Sequence, residues 1–269
     1  LLGFAVSSAL IGCVLGGMVG GVVASALGRK RGLMIAAVLF IISAVGSAYP
    51  EMGFPHGAPH TFLTQFIIYR IIGGVGVGLA SMLSPMYIAE MAPASRRGGL
   101  VAWNQFAIIF GMLVVYFVNY FIALNGDEAW LTSTGWRLMF LSEVIPAALL
   151  FLLVLGVPES PRWLIMKGRE AKAVAILERI NGAPEAEVEA QSIRRSLHGT
   201  VKAKLFSYGV GVIVIGMLLS VFQQFIGINV VLYYAPEIFR NMGMGTNAAL
   251  AQTIIVGVIN LSFTVLAIF

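Results

Sequence analysis

The residues that could do chemistry in this chain are amides, phenols and one arginine, all set inside apolar runs. Gln105 and Asn119 are fourteen residues apart, about 40° around an α-helix, so they share one face. Gln223 and Gln224 stand side by side, followed by Gly227, Asn229, Tyr233, Tyr234 and Pro236. Asn260 falls in the middle of the last apolar run. An amide offers a donor and an acceptor from one group, which matches a neutral, hydroxyl-rich ligand such as a sugar. The same residues can also be read as hydrogen bonds between packed helices. On the first reading they converge on one central, water-accessible chamber.

Arg70 lies eight residues into the apolar run that begins near 62, about 12 Å deep at 1.5 Å per residue. An ionisable group at that depth is costly and points to function. It could snorkel or pair with another helix, or it could tune a carboxylate that binds a proton, because a nearby cation favours the ionised form. No acidic residue of the chain is expected at the same depth. Glu90 is twenty residues further on, about 30 Å along the helix, and belongs to the opposite membrane face.

Other chemistries find no support. The run Gly73-Gly74-Val75-Gly76-Val77-Gly78 lies inside an apolar helix with no strand before it, so a dinucleotide loop is excluded. His56 and His60 sit among Pro50, Pro55 and Pro59, which disfavours a helical metal pair. No nucleophile–base constellation and no metal or cofactor set emerges, and a membrane enzyme is not expected. Cys13 is the one cysteine and forms no internal disulfide.

These residues need a membrane-spanning frame, and the composition supplies one. Of 269 residues 59% are hydrophobic and 11% charged, against about 45–50% and about 25% in soluble domains. The mean hydropathy is +0.92. Seven apolar segments approach or exceed the roughly 20 residues that cross a bilayer: about 1–27, 33–49, 62–90, 99–124, 138–157, 207–239 and 247–269. Gly12, Gly16 and Gly20 form a small-residue stripe suited to close helix packing. The chain opens on apolar sequence with no basic region before it, so no cleavable signal peptide is expected, and the abrupt start suggests truncation within the first helices.

The net charge of +5 is distributed by topology. Arg29, Lys30, Arg31, Arg96, Arg97 and the basic residues of 158–206 fall on one side, which the positive-inside rule makes cytoplasmic. Contact with anionic lipid follows; nucleic acid does not, since that would need a folded basic domain. Within 161–200 the spacing of Ala173, Ile176, Leu177 and Ile180 predicts a helix stopped at Asn181-Gly182, and Pro184 with Glu185, Glu187 and Glu189 starts another. The organisation is therefore 1–157, a helical linker 158–206, and 207–269.

Four motifs then carry a family resemblance. Leu-Gly-Arg-Lys-Arg-Gly at 27–32, Tyr-Ile-Ala-Glu-Met-Ala-Pro-Ala-Ser-Arg-Arg-Gly at 87–98, Val-Pro-Glu-Ser-Pro-Arg-Trp-Leu at 157–164, and the run from Gln223 through Phe239 resemble the sugar porter family of the major facilitator superfamily. The resemblance implies an all-α fold of twelve helices in two bundles, of which this chain supplies about seven, numbered two to eight. It implies alternating access in a bacterial inner membrane, with a monosaccharide (D-xylose foremost) and protons as substrates and a monomeric carrier. A facilitative uniporter and a sugar sensor on the same scaffold are the alternatives. It assigns sugar binding to Gln105, Gln223, Gln224, Asn229 and Asn260, an extracellular gate to Tyr233, and proton coupling to Arg70 beside a helix-one acid. Arg29, Arg31, Glu90, Arg96, Arg97, Glu159 and Arg162 would form a cytoplasmic charge network that holds the outward-facing state.

Overall fold

The computed structural model describes residues 2–52, 59–93, 95–198 and 209–268, with side chains except at 2, 59–61, 198 and 233. His56, the side chains of His60 and Tyr233, and residues 207–208 of the sixth apolar segment thus lie outside the described residues. Seven helical stretches are long and apolar enough to cross a membrane: Gly3–Leu27, Arg29–Ala48, Phe62–Met91, Arg97–Ala123, Glu128–Gly156, Val210–Leu232 and Thr246–Ile268. All seven expected segments are present, and no strand occurs among the described residues.

The first three spans are α1 (Leu2–Leu27), α2 (Arg29–Ala48) and α3 (Pro59–Met91). The glycine stripe of α1 meets the glycines of α3, now seen as helical: a Cβ on Gly12 or Gly74 would collide with backbone of the facing helix. Helix backbones thus approach closely where apolar surface alone gives no preference over lipid. On the other side α2 packs on α3, burying Leu33, Ala36, Leu79 and Leu83. The fourth span is α4 (Arg97–Ala123), joined to α3 by a hydrogen bond from Ser84 Oγ to Asn104 Oδ1 at 2.8 Å.

The fifth span departs from the sequence reading. It starts at Glu128, not near 138, and consists of α5 (Glu128–Trp130), a wide turn Leu131–Gly135, α6 (Trp136–Ser142) and α7 (Val144–Gly156). Thr132 and Ser133 look like loop residues. Their hydroxyls instead donate to the carbonyls of Glu128, Ala129 and Trp130, which keeps the polar segment helical. Asp127 caps the start by accepting from the Trp130 N–H at 2.8 Å. The helix is interrupted at Glu143, because Pro146 has no N–H for the Ser142 carbonyl.

The linker forms α8 (Pro161–Met166), α9 (Glu170–Asn181) and α10 (Ala183–His198) around a small core of Trp163, Leu164, Leu177 and Ala190. The predicted stop is in place, with Gly182 at φ 87°. The sixth segment, counted as one span over 207–239 with glycine and proline marking a break, is divided at Gly227, whose left-handed φ of 75° separates α11 (Val210–Phe225) from α12 (Ile228–Asn241). The last span, α13 (Thr246–Ile268), packs along α4. Pro236 deprives the Leu232 carbonyl of its helical partner, and the Tyr116 hydroxyl of α4 donates to that carbonyl at 3.1 Å.

The basic end is tied together by two carboxylates. Helix α2 begins with Arg29, Lys30 and Arg31, cations at the end where the helix dipole opposes them. Glu159 offsets this: its Oε1 accepts the backbone N–H groups of Arg29, Lys30 and Ser160 at 2.9, 3.0 and 2.9 Å. Glu90 accepts from Arg29 Nη2 at 2.7 Å and from Ser160 Oγ. The Arg29 and Glu90 side chains are only 10% and 11% exposed, so losing one partner strands a buried charge.

Two outcomes follow. Gly12→Val should destabilise the protein by at least about 1–3 kcal/mol through overpacking, read as a lower Tm in detergent, whereas Gly17→Val, whose Cβ meets open space, should change it little. Glu90→Ala should cost about 3–5 kcal/mol and the Arg29→Leu, Glu90→Leu double variant much less. Additive single effects in a double-mutant cycle would remove the coupling.

Candidate functional site

A cavity of 540 Å³ lies between the spans, within the roughly 300–1,000 Å³ of small-molecule sites. Its wall includes Arg70 of α3, Glu143 at the α6–α7 break, Asn119 of α4, Tyr234 of α12 and Cys13 of α1. The Arg70 guanidinium stands 5.8 Å from the Phe140 ring centre. No ion pair holds Arg70 among the described residues. A second cavity of 480 Å³ adjoins it, lined by Tyr116, Pro236, Thr253 and again by Asn119 and Glu143.

Glu143 corrects the expectation that no acidic residue shares the depth of Arg70. Both line the same cavity, and with the span running Glu128–Gly156, Glu143 is fifteen residues in, near the middle of the span. Starting the helix near 138 had placed it near the surface. The signal that could have found it is Glu143-Val-Ile-Pro146: a carboxylate three residues before a proline inside an apolar run marks a helix break that lines a cavity.

The amides are not brought together. Gln105, Gln223 and Gln224 are exposed, and neither they, nor Asn229, nor Asn260 line the two cavities. Gln224 Oε1 accepts from Asn229 Nδ2 at 2.9 Å, so these two partner each other across the Gly227 break. The physical reason is visible in α11, the helix that carries Gln223 and Gln224: none of its residues is buried among the described residues. Asn260 is half-buried in α13. The amide on the chamber wall is Asn119, which shares its helix with Gln105 but sits at the depth of the cavity.

At the basic end Arg29, Glu90 and Glu159 form the cluster described above. Arg97 pairs instead with Glu189 of α10 at 3.6 Å. Arg162 is exposed and borders a 370 Å³ cavity with Glu90, Arg97 and Glu189. Arg31 and Arg96 are exposed and join no ion pair among the described residues. At the opposite end Arg137 donates to Glu51 and to the Ala48 carbonyl, locking α2 to α6. There Thr246 also donates to Glu128 at 3.0 Å, joining α13 to α5. Among the described residues no group of three His, Cys, Asp or Glu could hold a metal ion.

Comparison with known proteins places this arrangement. The D-xylose-proton symporter of Escherichia coli strain K12 is 60% identical over 278 residues, covering 100% of this chain and 57% of its own length. The glucose facilitated diffusion protein of Zymomonas mobilis is 37% identical over 268 residues, covering 98% of this chain and 56% of its own. Among solved structures, that of the major facilitator superfamily proton:xylose symporter XylE bound to 6-bromo-6-deoxy-D-glucose superposes with a TM-score of 0.90 at 60% identity, covering 99% of this chain and 58% of that one. This chain thus spans a little over half the length of its relatives and has the fold of the matching part. The profile of the family described as "Sugar (and other) transporter" matches residues 1–269, and the chain belongs to that family.

Proposed function

We propose that the protein is a proton-coupled monosaccharide carrier of the bacterial inner membrane, with D-xylose its foremost substrate, working by alternating access. The observation that carries the reading is the mid-membrane chamber in which Arg70 and Glu143 line one wall system with no ion pair between them. Two opposite charges at that depth are costly to retain and serve movement of a proton or a solute. Neutral donors and acceptors around them suit a neutral ligand. The names of the relatives add the substrate class.

The chemistry follows from charge. Ionised Glu143 and Arg70 attract each other across the chamber. A proton taken from the outer water phase neutralises Glu143 and releases Arg70, so the two protonation states favour different arrangements of the walls. The helix-one acid implied by the family resemblance would share this role. Arg29, Glu90 and Glu159, joined by Arg97 and Arg162, would bias the equilibrium from the cytoplasmic end. Gln105, Gln223, Gln224, Asn229 and Asn260 would contact sugar hydroxyls once the two bundles close on the chamber, with Tyr233 gating the outer side. The glucose facilitator among the relatives keeps one alternative in play, a uniporter that moves sugar without protons.

In proteoliposomes of the full-length protein, sugar addition should alkalinise the outer medium, and uptake should rise as outer pH falls because protonation of Glu143 is required. Glu143→Gln should abolish the alkalinisation while sugar counterflow remains measurable; alkalinisation that persists would remove Glu143 from the coupling step. Counterflow without any proton movement in the unmodified protein would favour the uniporter. Gln223→Ala should weaken sugar binding by about 1–3 kcal/mol by leaving hydroxyls unpaired, and unchanged calorimetric affinity would exclude that residue from the site.

A further inference from the structure

We propose that Asn119 is the positioning residue for the Glu143 proton: its side-chain carbonyl accepts the hydrogen bond that Glu143 can donate only when protonated. The inference rests on the reading that Glu143 takes up the transported proton. Asn119 and Glu143 are the two residues common to the linings of the 540 Å³ and 480 Å³ cavities, so together they form the partition between them. The Asn119 Oδ1 atom is buried and has no hydrogen-bond partner among the described residues. Buried polar atoms are paired in the great majority of cases, and an exception calls for a reason.

The hydrogen-bonding inventory supplies the reason. An ionised carboxylate only accepts, and so does an amide oxygen, so the two have nothing to exchange. When a proton from water bonds to a carboxylate oxygen of Glu143, no other bond breaks, the charge falls from −1 to zero, and the group gains an O–H donor. The unpaired amide oxygen is then satisfied. The other charged and titratable groups around Glu143 differ in what they offer. Arg70 on α3 offers only donors. Cys13 on α1 and Tyr234 on α12 line the larger cavity, while the Tyr116 hydroxyl on α4 donates to the Leu232 carbonyl at 3.1 Å.

Asn119 is also well placed to pass the event on. It lies three residues after Tyr116 on the same face of α4. Tyr116 holds the carbonyl that Pro236 leaves unpartnered on α12. Protonation at Glu143 is therefore felt at the contact between α4 and α12, where the segment before the linker meets the segment after it.

The test is the pH dependence of sugar-driven alkalinisation by the full-length protein in proteoliposomes, each variant normalised to its own maximum. Asn119→Leu removes the acceptor and keeps the bulk, which disfavours the protonated carboxyl, so the midpoint should move towards acid by about half to one pH unit. Asn119→Asp places a like charge beside Glu143 and should move the midpoint towards alkali. An unchanged midpoint in Asn119→Leu, with counterflow showing a folded carrier, would overturn the inference and leave Glu143 as the proton site. If Asn119→Leu fails to fold, Asn119→Asp decides, and an unchanged or acid-shifted midpoint overturns it. Absence of alkalinisation in the unmodified protein would overturn the proton reading and this inference together.

Discussion

An ionised side chain in the middle of a bilayer has to be given water, a partner or a polar wall, and Arg70 sets that requirement for the whole chain. A guanidinium keeps its charge at every relevant pH, so the helices around it must arrange a chamber rather than a dry core. Arg70 lines a cavity between α1, α2, α3, α4, α6 and α12, and among the described residues it joins no ion pair. A fixed pair would hold the walls in one arrangement. On the proposed reading, a cation facing a carboxylate that gains and loses a proton lets the walls take two arrangements.

The rest of the structure builds that chamber from backbone devices. Close packing of Gly12 and Gly16 against Gly74 and Gly78 holds α1 on the face of α3 next to the one that carries Arg70. Proline does the complementary work. Pro146 interrupts the fifth span at Glu143, and Pro236 frees the Leu232 carbonyl that Tyr116 then holds. In each case a broken helical hydrogen bond stands beside the cavity, as expected where irregular backbone is tolerated in a membrane. At the basic end a buried arginine and two carboxylates tie α2, α3 and the start of α8 to one another.

How much of this could be read from sequence depends on the kind of signal. The spans were legible because hydropathy is additive along a helix, and the α1 glycine stripe because small residues at four-residue spacing have one packing use. The linker helices were legible from Gly182 and Pro184. Glu159 and Glu90 were placed at the basic end, but the sequence reading had Glu159 pairing with side chains, whereas it accepts backbone N–H groups of α2. Glu143 was missed because Thr132 and Ser133 read as loop, and hydroxyls that satisfy their own helix leave no mark in a hydropathy profile. The separation of Gln105, Gln223 and Gln224 was not legible either: side-chain type tells what a residue can bind, while convergence depends on packing, and α11 has no buried residue among the described residues.

Cys13 lines the chamber beside Arg70 and Glu143, and its labelling tests the central claim most directly. The full-length protein would be treated with a membrane-impermeant maleimide in right-side-out and inside-out vesicles, with and without sugar, and the Cys13 peptide followed by mass spectrometry. A water-filled, sugar-occupied chamber predicts that Cys13 reacts from at least one face and that D-xylose slows the reaction. A Cys13 that is inert from both faces, or whose reaction is indifferent to every sugar tried, would contradict it.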